Sequence, residues 1–329
     1  MRLFTEPRTR LATALIAALA IVAMTALTGT GQALAASGGR QPGGSAGALL
    51  TLPAGATAVP ALSSPGTAAT ACPRVFLIGA RGSGETSGGQ FNGLGAEVNK
   101  LLSVAAGYFK QKKISYQTYA VNYPSLSVNV LDPTDWSKGP SYYFHHNVDR
   151  YVASIVKGRK VLISLADALN KRCGSTLMIV AGYSQGAMVA HTAINALPGA
   201  VLTCVQGSIL LGDGNRVPNT RAKEFGTSPA SGEGIANWIA SVLGMKLGPD
   251  VNRWPVTANI CNANDIVCDT RLGGILHFKQ AAAVHTGYAK KNSTGSYSYE
   301  KVLTTAATWD AQQVYGFLTS KPGPACGLS

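Results

Sequence analysis

Residues 177–186 read LMIVAGYSQG: five apolar side chains, then Gly-Tyr-Ser-Gln-Gly. A short apolar run closed by glycine is the mark of a strand buried on both faces, and Gln185 to Leu197 then carries apolar residues at helical spacing. Ser184 therefore stands on a strand-to-helix turn. A serine there has its hydroxyl exposed above the sheet, and glycines two places before and after it remove side chains that so sharp a turn would bring into collision. Gly43–Gly47 (GGSAG) fits the same five-letter pattern but has no strand before it and no helix after it. Context, and not the pattern alone, makes Ser184 the candidate nucleophile.

Working outward, strand and helix alternate. Arg74–Ala80 (RVFLIGA), Ser115–Val121, Leu177–Ala181 and Val205–Leu211 read as strands, and Gly95–Phe109, Val148–Lys171 and Gln185–Leu197 as helices. In the second helix Leu162, Leu165, Ala166 and Leu169 share one face. That order implies an α/β fold, a three-layer α/β/α sandwich around a central, mostly parallel sheet, with its sites at the carboxyl ends of the strands.

The amino-terminal region reads differently. Arg2, Arg8 and Arg10 precede an apolar run from Leu11 to Leu27, and Ala33-Leu34-Ala35 supplies small residues suited to signal cleavage after Ala35 or Ala36. Residues 1–36 are thus expected to be a signal peptide, and the protein to be secreted, with cell-wall association an open extension. Residues 37–71, rich in Gly, Ala, Ser, Thr and Pro, are expected to be a flexible segment, because they have too little apolar surface to offset the entropy of ordering. Residues 72–329 form the expected single catalytic-sized domain.

The chain has 329 residues, 46% hydrophobic and 13% charged, with 28 Lys+Arg against 15 Asp+Glu. This composition fits a packed globular protein and argues against a disordered or repetitive one. Removal of residues 1–36 leaves 25 basic and 14 acidic side chains, so the exported protein stays basic. The basic residues are scattered and no nucleic-acid module pattern occurs, so nucleic acid is not an expected partner. The charge instead suits adsorption to an anionic polymer or lipid surface.

Six cysteines, at 72, 173, 204, 261, 268 and 326, all follow the signal segment, and an even count in an oxidising compartment argues for bridges. No Cys-x-x-Cys pair occurs, so zinc is not expected. Cys261 and Cys268 are close enough to staple one loop. Cys72 precedes the first strand and Cys173 the strand that ends at Gly182, so neighbouring strands would bring them together, closing a loop worth up to about 4 to 5 kcal/mol in the chain-entropy model. Cys204 and Cys326 pair by elimination.

A nucleophilic serine needs a base, and on such a fold the chain order is serine, acid, histidine. His145 and His146 precede Ser184, and His191 lies two turns into the helix that follows it, leaving His277 and His285. Asp265 sits between Cys261 and Cys268, where a stapled loop would hold its carboxylate against an imidazole. Asp213 and Asp269 are its rivals.

Four places together resemble the cutinases, serine esterases of the α/β-hydrolase type without a large lid. They are Ala80-Arg81-Gly82-Ser83, Gly182–Gly186, the Cys261–Cys268 loop around Asp265, and His285-Thr286-Gly287-Tyr288. The resemblance extends to a cysteine just before the first strand and another 11 residues before the serine. It implies that Ser184 is the nucleophile, Asp265 the orienting acid and His285 the general base, with Ser83 and Gln185 forming the oxyanion hole. Asp265 and His285 are 20 residues apart, more than in fungal members, and His277, at 12, is nearer their spacing. Tyr288 downstream favours His285.

A second departure is the long stretch between Gly212-Asp213 and Cys261. Its apolar stripe Ile235, Trp238, Ile239, Val242 and Leu243 reads as an extra packing helix, with a partial lid over Ser184 as the alternative. The resemblance implies a monomeric carboxylic ester hydrolase acting through an acyl-enzyme, with no metal or organic cofactor, on cutin-type polyesters or short to medium acyl esters. The alternatives are a lipase or phospholipase at lipid interfaces, a polysaccharide acetyl esterase, and a catalytically dead surface-binding protein.

Overall fold

The computed structural model describes residues 51–64, 72–89, 91–131, 137–139, 142, 144–242, 251, 256–271, 273–274, 277–288, 299–320 and 326. The expected signal peptide lies outside them.

The apolar runs become the central strands. β1 (Ala56–Ala58), β2 (Val75–Ala80), β3 (Tyr116–Val121), β4 (Leu177–Tyr183), β5 (Val205–Leu211), β6 (Lys223–Phe225) and β7 (Val256–Ile260) form one sheet in the order β1-β3-β2-β4-β5-β7-β6. Every pairing except β1 with β3 is parallel. All residues of β2, β4 and β5 are buried, as expected of strands covered on both faces.

Helices supply that cover. α1 (Ala96–Gln111) lies on β2 and β4, α2 (Asp149–Arg172) packs on α3 (Gln185–Ile194) over β2 to β5, and α4 (Gly199–Leu202) is a single turn. α5 (Ile235–Val242) and α6 (Phe278–His285) follow, and α7 (Glu300–Thr319) packs on α1 and over β5 and β7. The leucine face of α2 is buried as its spacing implied. The alternation therefore delivers the expected three-layer sandwich, and the ends of β2, β4, β5 and β7 open on the same edge.

One expectation needs correction. Within the 37–71 segment, residues 51–64 are part of the fold: β1 adds to the edge of β3, Val59 is buried, and the Ser63 hydroxyl and Ser64 amide hold β3 further along. The entropy of ordering this small-residue stretch is offset by its backbone bonds to an existing strand and by Leu52, Val59 and Leu62 packing on the core. The rest of that segment, 37–50 and 65–71, lies outside the described residues.

Three disulfides are present, Cys72–Cys173, Cys204–Cys326 and Cys261–Cys268. The first joins the entrances of β2 and β4, which are hydrogen-bonded neighbours. The second ties residue 326, beyond α7, to the start of β5. Both act on the end of the sheet opposite Ser184, so they stiffen the fold without crowding the serine.

Two buried carboxyl groups oppose alkaline stability. Burial, helped by the neighbouring Glu85 carboxylate, raises Glu97 to about 8. Asp310, on α7, is fully buried near Ser208, and burial raises it well above the usual carboxylate range; neither of its oxygens has a hydrogen-bond partner among the described residues. A group raised in the folded state binds protons that the unfolded chain has released, so stability is full below about 4.5 and falls as pH rises through about 8. Glu97→Gln is expected to flatten that fall, keeping on the order of 5 °C more of the Tm between pH 5 and pH 9. Calorimetry across that range checks it, and an unchanged slope would rule it out.

Candidate active site

Ser184 occupies the turn between β4 and α3 with φ 54° and ψ −119°, a conformation that costs a non-glycine residue about 1–3 kcal/mol. The surroundings hold it there. Ser184 N–H donates to Leu211 O (2.9 Å) and Met188 N–H donates back to Ser184 O (3.1 Å). A Cβ on Gly182 would collide with the backbone of Gly186, and one on Gly186 with the carbonyls of Ala80 and Arg81. Both glycines are thus dictated by backbone contact. The second contact also brings the loop after β2 against the serine turn.

His285, at the end of α6, places Nε2 2.8 Å from Ser184 Oγ and Nδ1 2.9 and 3.0 Å from the two oxygens of Asp265. Asp265 follows β7 in the Cys261–Cys268 loop and is completely buried. Burial alone would raise its pKa, but the charge and hydrogen bond of His285, the Val267 amide and the Tyr288 hydroxyl together hold it below the usual carboxylate value. The carboxylate is then purely an acceptor. It takes Nδ1–H, Val267 N–H (2.8 Å), Cys268 N–H (3.3 Å) and Tyr288 Oη–H (2.9 Å), which leaves His285 Nε2 as the acceptor facing Ser184.

Three residues position the imidazole further. Tyr183 stacks on the His285 ring, with centroids 5.4 Å apart, and donates its hydroxyl to His285 O (2.9 Å). Gly212 has φ 61°, and a Cβ there would lie 2.8 Å from His285 Cε1. Tyr288 is fully buried and accepts Asn262 N–H (2.9 Å) while donating to Asp265, so it links the disulfide loop to the segment after α6. Tyr183 and Gly212 were invisible as site residues in the sequence, where one belongs to a strand and the other to a turn.

Ser83 lies in the loop that leaves β2. Arg81 is buried and anchors that loop, donating from Nε to Glu85 O (2.8 Å) and from its terminal nitrogens to Val121 O and Tyr123 O. The Glu85 carboxylate receives Gly82 N–H (2.5 Å) and Ala96 N–H (2.8 Å), the latter at the start of α1. Ser83 Oγ is 2.7 Å from the hydroxyl of Tyr151. Gln185 is the first residue of α3, where backbone N–H groups have no helical acceptor and point toward the serine end.

The rival residues are engaged elsewhere. Asp213 pairs with His191 in a buried contact of 2.6 Å, and Asp269 accepts Asn264 N–H and the Arg271 guanidinium. His145 pairs with Asp149 on the surface, His146 stacks on Tyr142, and His277 is an exposed residue at the start of α6. Cys261, Asp265 and Cys268 converge closely enough to suggest a metal, but both sulfurs are in a disulfide and offer no thiolate.

Within the 213–260 stretch, the first turn of the expected stripe packs against the site's supporting elements. Ile235 N–H donates to Val267 O (2.7 Å), the Asn237 amide donates to the carbonyls of Asn215 and Arg216, and Trp238 packs on Ile266 and Ala281. α5 thereby buttresses the loop that carries Asp265 and the helix that carries His285. Leu243 and the side chains of Ile239 and Val242 lie outside the described residues.

Residues 71–301 match the family model for cutinase. The chain belongs to the cutinase family. A cutinase from Pyricularia oryzae is 29% identical over 163 residues, 48% of this chain and 60% of that protein. A cutinase from Monilinia fructicola is 30% identical over 56 residues, 17% of this chain and 28% of that one. The chain thus spans under two thirds of the length of either relative. Among solved structures, a cutinase-like protein from Cryptococcus sp. is similar at a TM-score of 0.48 and 19% identity, covering 74% of this chain and 96% of the other. The catalytic core of an acetyl xylan esterase from Trichoderma reesei is similar at a TM-score of 0.41 and 18% identity, covering 66% and 98%.

Proposed function

We propose that this cutinase-family protein is a secreted serine esterase that hydrolyses carboxylic esters, taking short to medium acyl chains or cutin-type polyesters through an acyl-enzyme. The observation that carries the reading is the hydrogen-bonded chain from Ser184 Oγ through His285 to the buried Asp265. His285 Nε2 takes the serine proton as Oγ attacks the ester carbonyl, and Asp265 stabilises the imidazolium without itself becoming protonated. The carbonyl oxygen, now negative, is received by the Ser83 hydroxyl and the Gln185 backbone N–H, and α3 points the positive end of its dipole at the same place. His285 then gives the proton to the leaving alkoxide, and a water molecule activated by the same imidazole releases the acid. No metal or organic cofactor enters these steps.

Hydrolysis of p-nitrophenyl esters from acetyl to palmitoyl tests the reading. The expected profile peaks near butyrate, and a serine-directed organophosphate is expected to abolish it while adding its mass to the peptide containing Ser184. A peak at long chains would replace this reading with a lipase acting at interfaces. A folded protein that cleaves none of the esters and takes no label would overturn it.

A further inference from the structure

Tyr151 is a buried phenol on the first turn of α2 whose hydroxyl lies 2.7 Å from Ser83 Oγ, 68 residues away in sequence. The reaction proposed above, on which this inference rests, does not use it. One of the two hydroxyls must donate to the other. A phenol is a stronger acid and a weaker acceptor than an aliphatic alcohol, so the favoured direction is Tyr151 O–H to Ser83 Oγ. Burial keeps that phenol protonated, raising it to about 12. The Gln185 side chain is close enough to influence it, but Gln185 Nε2 reaches no hydrogen-bond partner among the described residues.

The direction has a consequence for Ser83. Were Ser83 the donor, its only proton would point into the protein, away from any developing oxyanion. Accepting from Tyr151 leaves that proton free for the carbonyl oxygen, and fixes the rotor beforehand. α2 is tied to the site again on its next turn, where Ser154 Oγ donates to Gln185 Oε1 (3.3 Å) and accepts Leu126 N–H (3.3 Å).

We propose that Tyr151 is a positioning residue that orients the Ser83 hydroxyl toward the oxyanion through the 2.7 Å contact between them. The test is a double-mutant cycle of Tyr151→Phe and Ser83→Ala in the full chain, with rates normalised to active sites titrated by the organophosphate. Ser83→Ala is expected to lower kcat by about 10²- to 10³-fold, the usual cost of one lost donor. Tyr151→Phe alone is expected to lower kcat about 10- to 50-fold with KM within twofold, and in the Ser83→Ala background to change it less than threefold.

An equal loss in both backgrounds would mark Tyr151 as merely structural, and no loss beside native Ser83 would equally overturn the proposal. Should Tyr151→Phe not fold, 3-fluorotyrosine at position 151 replaces it. A change in kcat that vanishes with Ser83→Ala supports the proposal, and an unchanged kcat or the same change in both backgrounds overturns it. Activity that survives Ser184→Ala would instead count against the esterase reading, so the two failures are separable.

Discussion

Ser184→Ala is expected to lower ester hydrolysis by about 10⁴- to 10⁶-fold while leaving the Tm within about 2 °C of the native protein. The loss is large because in the proposed reaction Ser184 Oγ is the atom to be acylated, and the helix dipole and His285 beside it have nothing to activate once it is gone. The fold is insensitive because, among the described residues, Ser184 contributes no side-chain bond except that to His285, and alanine bears the same backbone strain at φ 54° as serine. A residual rate within tenfold of native, measured on p-nitrophenyl butyrate with protein shown to be folded by circular dichroism, would remove Ser184 from the reaction. Organophosphate labelling is expected to disappear in the same variant.

Asp265→Asn is expected to cost about 10⁴-fold in kcat with little effect on KM. The carboxylate accepts four donors, from His285, Val267, Cys268 and Tyr288, and has no exposure to water. An asparagine amide presents two hydrogens in place of an acceptor oxygen, so it cannot satisfy the same set. Its least costly arrangement turns an N–H toward His285 Nδ1, which forces the imidazole to carry its proton on Nε2, facing Ser184. The base then points a proton at the proton it must accept. Tyr288→Phe removes one donor of four and is expected to cost about tenfold, and the ratio of the two losses separates the charge of Asp265 from its framing. Equal activity of Asp265→Asn and native enzyme would exclude Asp265 as the orienting acid.

The alternation of elements was readable in advance because burial leaves a period in sequence. Val75–Ala80 and Leu177–Ala181 are continuous apolar runs and Val205–Leu211 is one interrupted only by Gln206 and Ser208, because both faces of these strands are covered, and they correspond to β2, β4 and β5 within one or two residues. The 20-residue α7 was missed, since its buried face consists largely of Ala306, Ala307 and Ala311 with only Leu303 and Val314 to mark it. β1 and β6 have three residues each, too few to carry any period, and the five of β7 sit among polar neighbours. The candidate site divides in the same way. Gly182, Ser184 and Gly186 are local to one turn, and Asp265 is bracketed by its own disulfide, so chain order alone narrowed the search.

The amino-acid sequence by itself determined the layered α/β class, the serine turn, and a short set of acids and histidines. These depend on interactions between residues within about one element of each other. Only the tertiary structure decided that His285 and not His277 meets Asp265, that Asp213 is taken by His191, and that residues 51–64 extend the sheet. It alone placed Tyr183 and Gly212 around the imidazole and Tyr151 behind Ser83. The reason is physical: hydrophobic period records which side of an element faces inward, whereas a contact between side chains 68 or 102 residues apart depends on how the layers pack.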